Sequence, residues 1–350
     1  MDPIFVDHLR SQLKSCEMSD QVHTEYNLPP GKELPADLVA RLFHLFDADE
    51  GALGACLDQM VDTGPTAFRV NGLLTTAEQA HEELAAAGII ASPLECLDGV
   101  WTVPSESHRA LTDTAAALEG RIYLMTPSSM LAGICLEPQP GEEILDLAAA
   151  PGGKTLHLAD LMGNEGRIAA VESVKGRFHR MRRNIDRCGA QIVDTYLADG
   201  RGVWRKVPER FDRVLLDAPC SAEGRIVAGQ PDTWKFWSLR KIKEMVRKQR
   251  RLAESAVHCL KPGGVLVYCT CTLAPEENEA IVHRLLNRFG SALEVESLPL
   301  PETMGEPGRT TWMEKIFDAR LTGTRRILPS PPWEGFFLSR LRKVTSTTTS

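Results

Sequence analysis

The chain has 350 residues, a net charge of −7, 43% hydrophobic residues and 25% charged ones. That length exceeds one domain of roughly 100–200 residues, so a main domain plus an accessory part is expected, with ordinary globular composition and a sizeable core. No apolar run reaches the roughly 18–20 residues that span a bilayer, and MDPIFVDHLR lacks a basic start followed by an apolar stretch, so neither a membrane span nor a secretory signal is expected.

In chain order, residues 1–65 read as helical and loosely organised around a break at Pro29-Pro30-Gly31, with a helical apolar rhythm in LVARLFHLF at 38–46. TAFRVNG at 66–72 predicts a short strand. Thr75 and Glu78 form a capping-box pattern ahead of AEQAHEELAAA, and Gly88 is placed to end that helix. IIASPLECLDGVWTV predicts further short strands. From about residue 141 strands and helices alternate. EILDLAAA, RIAAVES, DTYLAD, FDRVLLDAP and GGVLVYCTC read as strands, and 152–161, 174–187, 238–260 and 275–289 as helices. GFFLSRLRK at 335–343 reads as a late strand. Such alternation builds a mostly parallel sheet covered by helices on both faces. The tail VTSTTTS is expected to be disordered.

Nine cysteines, odd in number and irregular in spacing, contain no CxxC pair. Neither a disulfide framework nor a metal site is expected, and a reducing, cytoplasmic setting fits. The net charge argues against a nucleic-acid partner, which favours a basic surface. Two runs argue the other way: residues 175–187 hold six Lys/Arg against one Asp, and residues 235–251 hold eight against one Glu.

Ligands of open α/β sheets bind beyond the carboxyl ends of the strands. After the first strand come Ala148, Ala149, Ala150, Pro151, Gly152, Gly153, Lys154 and Thr155. A P-loop needs glycine at position 148, and a dinucleotide GxGxxG is absent, so nucleotide hydrolysis and NAD lose ground. What remains is a turn of small residues leading into a helix N-terminus, which suits a ligand carboxylate such as that of S-adenosylmethionine. Glu172 ends the second strand, where an acid commonly holds ribose hydroxyls, and Asp199 ends the third, within reach of adenine. Each alone reads equally as a cap or turn residue; three carboxylates at successive strand ends read as a site.

Asp217-Ala218-Pro219-Cys220 follows the fourth strand, and Tyr268-Cys269-Thr270-Cys271-Thr272 ends the fifth. Adjacent parallel strands would bring both ends to one place. Carbon 5 of cytosine is a poor nucleophile, but addition of a thiolate to C6 makes C5 enamine-like and able to take a methyl group. Asp217 is suitably placed to offer N3 a hydrogen bond or proton. Cys269 is expected on the opposite face from Cys271 and to be structural. Spacing alone does not choose which cysteine attacks.

At these residues the chain resembles the RNA cytosine-5 methyltransferase family, the Sun/Fmu and Rsm type, similar to bacterial 16S rRNA enzymes. DLAAAPGGKT, ESVKGRFHRMRRNIDRCGA, LLDAPCS, LKPGGVLVYCTCTLAPEENE and RRILPSPPWEGFFLSRLRK carry the resemblance. RVNGLLTT resembles the start of the family's small RNA-binding unit. The resemblance implies an S-adenosylmethionine site made by Ala148 to Lys154 with Glu172, Arg177, Asp199 and Asp217. It implies Cys271 as nucleophile and Cys220 as the residue that helps release product. Ser221-Ala222-Glu223-Gly224 departs from the commoner SGTG and lies closer to the ribosomal RNA branch.

The resulting expectation is an α/β, Rossmann-like methyltransferase fold with a mostly parallel seven-stranded sheet. Residues 1–115 would form a helical and α+β RNA-binding domain, 116–343 the catalytic domain and 344–350 a disordered tail. Arg177, Arg180, Asn184 and Arg187 recur at helical spacing and would track phosphates around an unpaired or flipped cytosine. The partner is RNA, ribosomal or transfer, with no membrane or metal, and the protein is a monomer. Two alternatives stand beside this: a catalytically silent assembly factor that binds RNA, and a DNA cytosine-5 methyltransferase using Cys220.

Overall fold

The computed structural model describes residues 31–347; the helical reading of 1–30, Pro29-Pro30 and Cys16 lie outside the described residues. Helices α1 (Ala36–Leu45) and α2 (Glu50–Gln59) come first. Asp49 caps α2, its Oδ1 accepting from the Ala52 N–H at 3.0 Å. Then follow β1 (Thr66–Val70), α3 (Ala77–Ala86), β2 (Ser92–Pro93), β3 (Val100–Val103), α4 (His108–Thr112), α5 (Ala115–Leu118) and β4 (Ile122–Leu124). These strands form an antiparallel sheet in the order β2-β3-β1-β4 over a core of Phe68, Leu84, Val103, Leu111 and Ile122. The capping box of α3 is Thr76 with Gln79, one residue later than the pattern of Thr75 and Glu78: Thr76 has the extended backbone, and each side chain bonds the other's N–H. Gly88, at φ +76°, follows the helix as expected.

Two boundaries differ from the sequence reading. The small sheet continues past residue 115, because β4 pairs with β1 (Phe68↔Leu124, Val70↔Ile122). Helices α1 and α2 send Leu38, Leu42, Leu53 and Leu57 into the core of the large sheet, beside Leu145, Leu216 and Val257.

The remaining elements are α6 (Pro127–Leu136), β5 (Glu143–Asp146), α7 (Gly153–Leu161), β6 (Arg167–Glu172), α8 (Lys175–Arg187), β7 (Val193–Leu197), β8 (Phe211–Asp217), α9 (Leu239–Cys259), β9 (Leu260–Thr270), α10 (Glu279–Phe289), β10 (Leu293–Glu296), β11 (Glu306–Pro307), β12 (Thr311–Trp312), β13 (Lys315–Ile316), β14 (Arg325–Ile327) and β15 (Phe336–Lys343). The large sheet runs β11-β14-β15-β9-β8-β5-β6-β7, with β10 also on β15. Strands β7, β6, β5, β8 and β9 are parallel; β15 returns antiparallel beside β9. Successive residues alternate between the two faces: Leu145, Val214 and Leu266 enter one core, Ile144, Leu215 and Val267 the other. Both faces are therefore dry, which is why these strands read as continuous apolar runs.

Among the described residues the sheet has nine strands rather than seven. Strands β14 and β10 occupy successive halves of one edge of β15, at Phe336–Leu338 and Arg340–Lys343, and β11 pairs outside β14. Prolines 299, 301 and 307 interrupt the chain between α10 and β14, so short pieces replace one strand. Of the tail, Val344 donates to the Ala292 carbonyl at 2.9 Å and the Thr347 N–H to Glu209 at 2.8 Å, so order extends to 347; residues 348–350 lie outside the described residues. Among the described residues no helix is long and apolar enough to cross a membrane.

Candidate active site

Strand β5 lies between β6 and β8, so the chain leaves its carboxyl end in opposite directions on the two sides. This is the switch point at which such sheets open a crevice. A cleft of about 750 Å³ lies there. Its wall includes Ala148, Ala149, Ala150, Pro151, Gly153 and Lys154 after β5, Arg177 from α8, and Asp217 and Cys220 after β8. Cys271 after β9 completes it, with Thr66, His108 and Tyr123 from the small sheet's side. Gly152, Glu172 and Asp199 are outside this wall.

The loop after β5 is shaped by its small residues. Gly152 has φ +107° at the N-terminus of α7, a conformation glycine tolerates. A Cβ on Gly153 would sit 2.9 Å from Tyr123 Cε1, so β4 packs directly on the loop. Helix α8 grips the same loop: Arg177 donates to the Ala150 carbonyl at 2.5 Å and Asn184 to that of Pro151 at 2.9 Å, while Arg187 reaches the Ala117 carbonyl at 3.2 Å. Three of the four residues expected to track phosphates thus direct donors to backbone, and Arg180 remains exposed. On α9, Lys241, Met245 and Lys248 line the cleft, giving part of the second basic run a face toward it.

The strand-end carboxylates differ in state. Glu172 is buried, accepts from the Val174 N–H at 2.7 Å and lies 3.7 Å from Arg177. Asp199 caps its own turn and is ion-paired at 2.5 Å with Arg201, which holds its carboxyl below the usual range. Asp217 pairs with Lys154 at 2.7 Å, and Lys154 also donates to the Ser129 hydroxyl at 3.3 Å. Burial pulls that lysine down; Asp217 outweighs it and holds the ammonium above its ordinary value.

Asp146, at the end of β5, was not singled out by its sequence position. Oδ2 accepts from the Thr155 hydroxyl at 2.7 Å, and Oδ1 has no hydrogen-bond partner. Burial pushes its carboxyl up to about 7. An unfolded aspartate ionises near pH 4. Between about pH 4 and 7 the folded state therefore holds a proton that the unfolded state has lost. This contribution to stability is full below about pH 4 and is lost as pH rises through about 7. We expect urea-unfolding free energy to fall between about pH 4 and 7, and to fall less in Asp146→Asn. The same pH dependence in both proteins would remove Asp146 as its source.

Strands β8 and β9 are in register, Asp217 opposite Cys269, and the two cysteine loops meet beyond their ends. Cys220 Sγ and Cys271 Sγ are 3.3 Å apart. The Gly224 N–H donates to the Cys271 carbonyl at 3.0 Å, and Gly224 packs against Gly335, whose oxygen would lie 1.9 Å from any Cβ at 224. Arg225 is paired at 3.0 Å with Glu334. The hydrogen bond from Cys220 pulls the Cys271 thiol below its ordinary value; burial opposes this, and Arg225 adds to it. That same bond, burial and the Glu277 carboxylate push Cys220 well up. The two sulfurs thus share one contact that pushes their titrations apart, and Cys271 is the one shifted toward the thiolate.

Cys269 does not face away from Cys271. Residues two apart on a strand share a face, and both cysteines pack on the same apolar cluster. Cys269 is fully buried, 3.7 Å from Asp217, and outside the cleft wall. The residues missed by sequence reasoning, Arg225, Glu334 and Ser129, carry no local signal: Arg225 and Glu334 are 109 positions apart.

The family model for 16S rRNA methyltransferase RsmB/F matches residues 133–342. Ribosomal RNA small subunit methyltransferase F of Vibrio campbellii is 39% identical over 287 residues, covering 80% of this chain and 57% of that protein. The protein of the same name from Escherichia coli O127:H6 is 40% identical over 287 residues, covering 79% and 56%. The chain thus spans little more than half the length of these relatives. A methyltransferase homologue from Pyrococcus horikoshii superposes with a TM-score of 0.76 at 30% identity, covering 91% of this chain and 100% of that one. NSun6 from the same organism, crystallised with SFG, shares the fold with a TM-score of 0.77 at 23% identity, covering 90% and 100%. The chain belongs to the 16S rRNA methyltransferase RsmB/F family.

Proposed function

We propose that this chain methylates carbon 5 of a cytosine in RNA, with Cys271 as the nucleophile and Cys220 assisting product release. The observation that carries the reading is the pair of cysteine sulfurs 3.3 Å apart in a cleft walled by a loop of alanines and glycine. A purely binding protein needs neither sulfur, and a cytosine methyltransferase needs one that attacks and a base for the C5 proton. The lowered Cys271 thiol and the raised Cys220 thiol support the role order, against the DNA-type alternative in which Cys220 attacks.

S-adenosylmethionine fits the cleft: its volume is that of a small-molecule site, and Ala148 to Gly153 keep backbone close to any occupant. It would supply the methyl group. Ala148 to Lys154, with Glu172, Arg177, Asp199 and Asp217, are the proposed holders. Cys271 adds to C6 of the base, and Asp217, paired with Lys154, offers N3 of the base a hydrogen bond or proton. Cys220 first gives its own proton to solvent; as a thiolate it then takes the C5 proton, and the C6–sulfur bond breaks to release Cys271. The small four-stranded unit, residues 66–124, is the proposed RNA-binding part, since Thr66, His108 and Tyr123 share the cleft wall.

The homologues' names favour ribosomal RNA of the small subunit over transfer RNA. Mapping 5-methylcytosine in RNA from cells with and without the protein tests this. One cytosine of small-subunit RNA is expected to lose its mark; loss in transfer RNA alone would move the substrate, and an unchanged map would favour the silent assembly factor.

A further inference from the structure

We propose that the adjacent residues Glu277 and Asn278 are positioning residues that set the approach of the two thiols, each bracing the chain on both sides of one cysteine. This rests on the reading of Cys220 and Cys271 as the reacting pair.

Both residues lie in the run Pro275-Glu276-Glu277-Asn278-Glu279, between the end of β9 and α10. Asn278 Oδ1 accepts from the Thr270 hydroxyl at 2.5 Å, and its Nδ2 donates to the Thr272 carbonyl at 2.9 Å. The residues before and after Cys271 are thus tied to one side chain. Glu277 does the corresponding work for Cys220. Its Oε2 accepts from the Ser221 N–H at 3.0 Å and from Gln249 Nε2 at 2.8 Å, and that same Gln249 amide donates to the Pro219 carbonyl at 2.9 Å. The Ser221 and Thr272 hydroxyls then join the two loops at 2.8 Å. The Glu277 carbonyl accepts from the Tyr268 hydroxyl at 2.5 Å, which fixes the brace to β9 itself.

Glu277, Asn278, Gln249, Tyr268, Thr270 and Thr272 are all completely buried. No water replaces a broken bond in such a network, so its members hold their geometry. Neither Glu277 nor Asn278 lines the cleft, so both act through the loops and not on substrate. The choice of side chains is asymmetric in a useful direction. On the Cys220 side stands an acid, whose negative charge favours the protonated thiol once the acid ionises. On the Cys271 side stands a neutral amide, which ties the same kind of loop without opposing a thiolate. Glu277 is itself pushed up to about 8, chiefly by burial, and its Oε1 has no hydrogen-bond partner.

The test is alkylation of the full chain by iodoacetamide across about pH 6–10, read by mass spectrometry at each cysteine while the other is alanine. No RNA is needed. Glu277→Gln is expected to raise the Cys220 rate about tenfold above about pH 8, where Glu277 is ionised, and to leave that of Cys271 within about twofold, since one pKa unit is tenfold in thiolate. Asn278→Ala is expected to change the Cys271 rate by about tenfold and leave Cys220 alone. Both variants shifting both thiols alike, or neither shifting any, overturns the brace. Should either fail to fold, Gln249→Met and Thr270→Val each remove one strut and carry the same crosswise expectation, with Thr270→Ser keeping the wild-type Cys271 profile. The crosswise pattern without any RNA adduct in Cys220→Ala would uphold the brace and sink the RNA reading. Adduct formation without the pattern would sink the brace alone.

Discussion

Cys271→Ala is expected to abolish methyl transfer, a loss of roughly 10⁴-fold or more as for other removed nucleophiles, while Cys220→Ala accumulates a protein–RNA adduct that survives a denaturing gel. Addition of the Cys271 sulfur to C6 forms a carbon–sulfur bond that breaks only when C5 gives up its proton after methylation. Cys220, 3.3 Å from the attacking sulfur and held protonated until attack, is the group placed to act second. Without it the adduct forms and stays. Because the two sulfurs interact so closely they titrate as a pair, and the role order is read from trapping rather than from a single pH profile. An adduct with Cys271→Ala and none with Cys220→Ala would reverse the roles. Tight S-adenosylmethionine binding by the wild-type chain, with neither adduct nor transfer to any cellular RNA, would leave the silent assembly factor.

The parts of this site that were legible in the sequence share one property: their signal is local. The apolar runs of β5, β8 and β9 stand between loops of small or polar residues, so the strand ends and the loops 148–154, 217–220 and 268–272 could be located. Both cysteines follow from those ends. What escaped depends on distant partners. Arg41 on α1 forks onto Glu276, 235 positions away, so nothing near Arg41 reveals that α1 packs on the large sheet. The capping box moved by one residue because Thr75 and Thr76 offer the same hydroxyl and only backbone geometry chooses between them. The basic helix α8 looked like a phosphate track because Arg and Asn donors read alike whether they face solvent or a carbonyl. Three carboxylates at strand ends looked equivalent, yet Arg201 pairs with Asp199, Lys154 with Asp217, and Glu172 is buried beside Arg177. The difference lies in which cation the fold brings up, and sequence spacing does not encode that.

Arg326→Met is expected to cost about 3–5 kcal/mol of folding stability, because it leaves Glu279 as a buried charge without its cation. In a chain of this size that lowers the melting temperature by on the order of 10 °C. Arg326 and Glu279 are 1% and 0% exposed and form a fork–fork pair, Nε at 2.6 Å and Nη2 at 2.5 Å. Removing both charges, in Arg326→Met with Glu279→Met, is expected to recover most of the loss, since a packed apolar pair replaces two desolvated ions. A single variant that melts like wild type would show the pair to be dispensable. Activity is expected to part from stability in the double variant. Arg326 Nη1 also donates to the Leu273 carbonyl at 2.9 Å, two residues past Cys271, and Glu279 opens α10 directly after the Glu277-Asn278 brace. The double variant restores the core but leaves the Leu273 carbonyl without its donor. Its methylation rate should therefore remain below wild type at equal stability, with full recovery of both showing that the pair holds the fold and not the loop of the nucleophile.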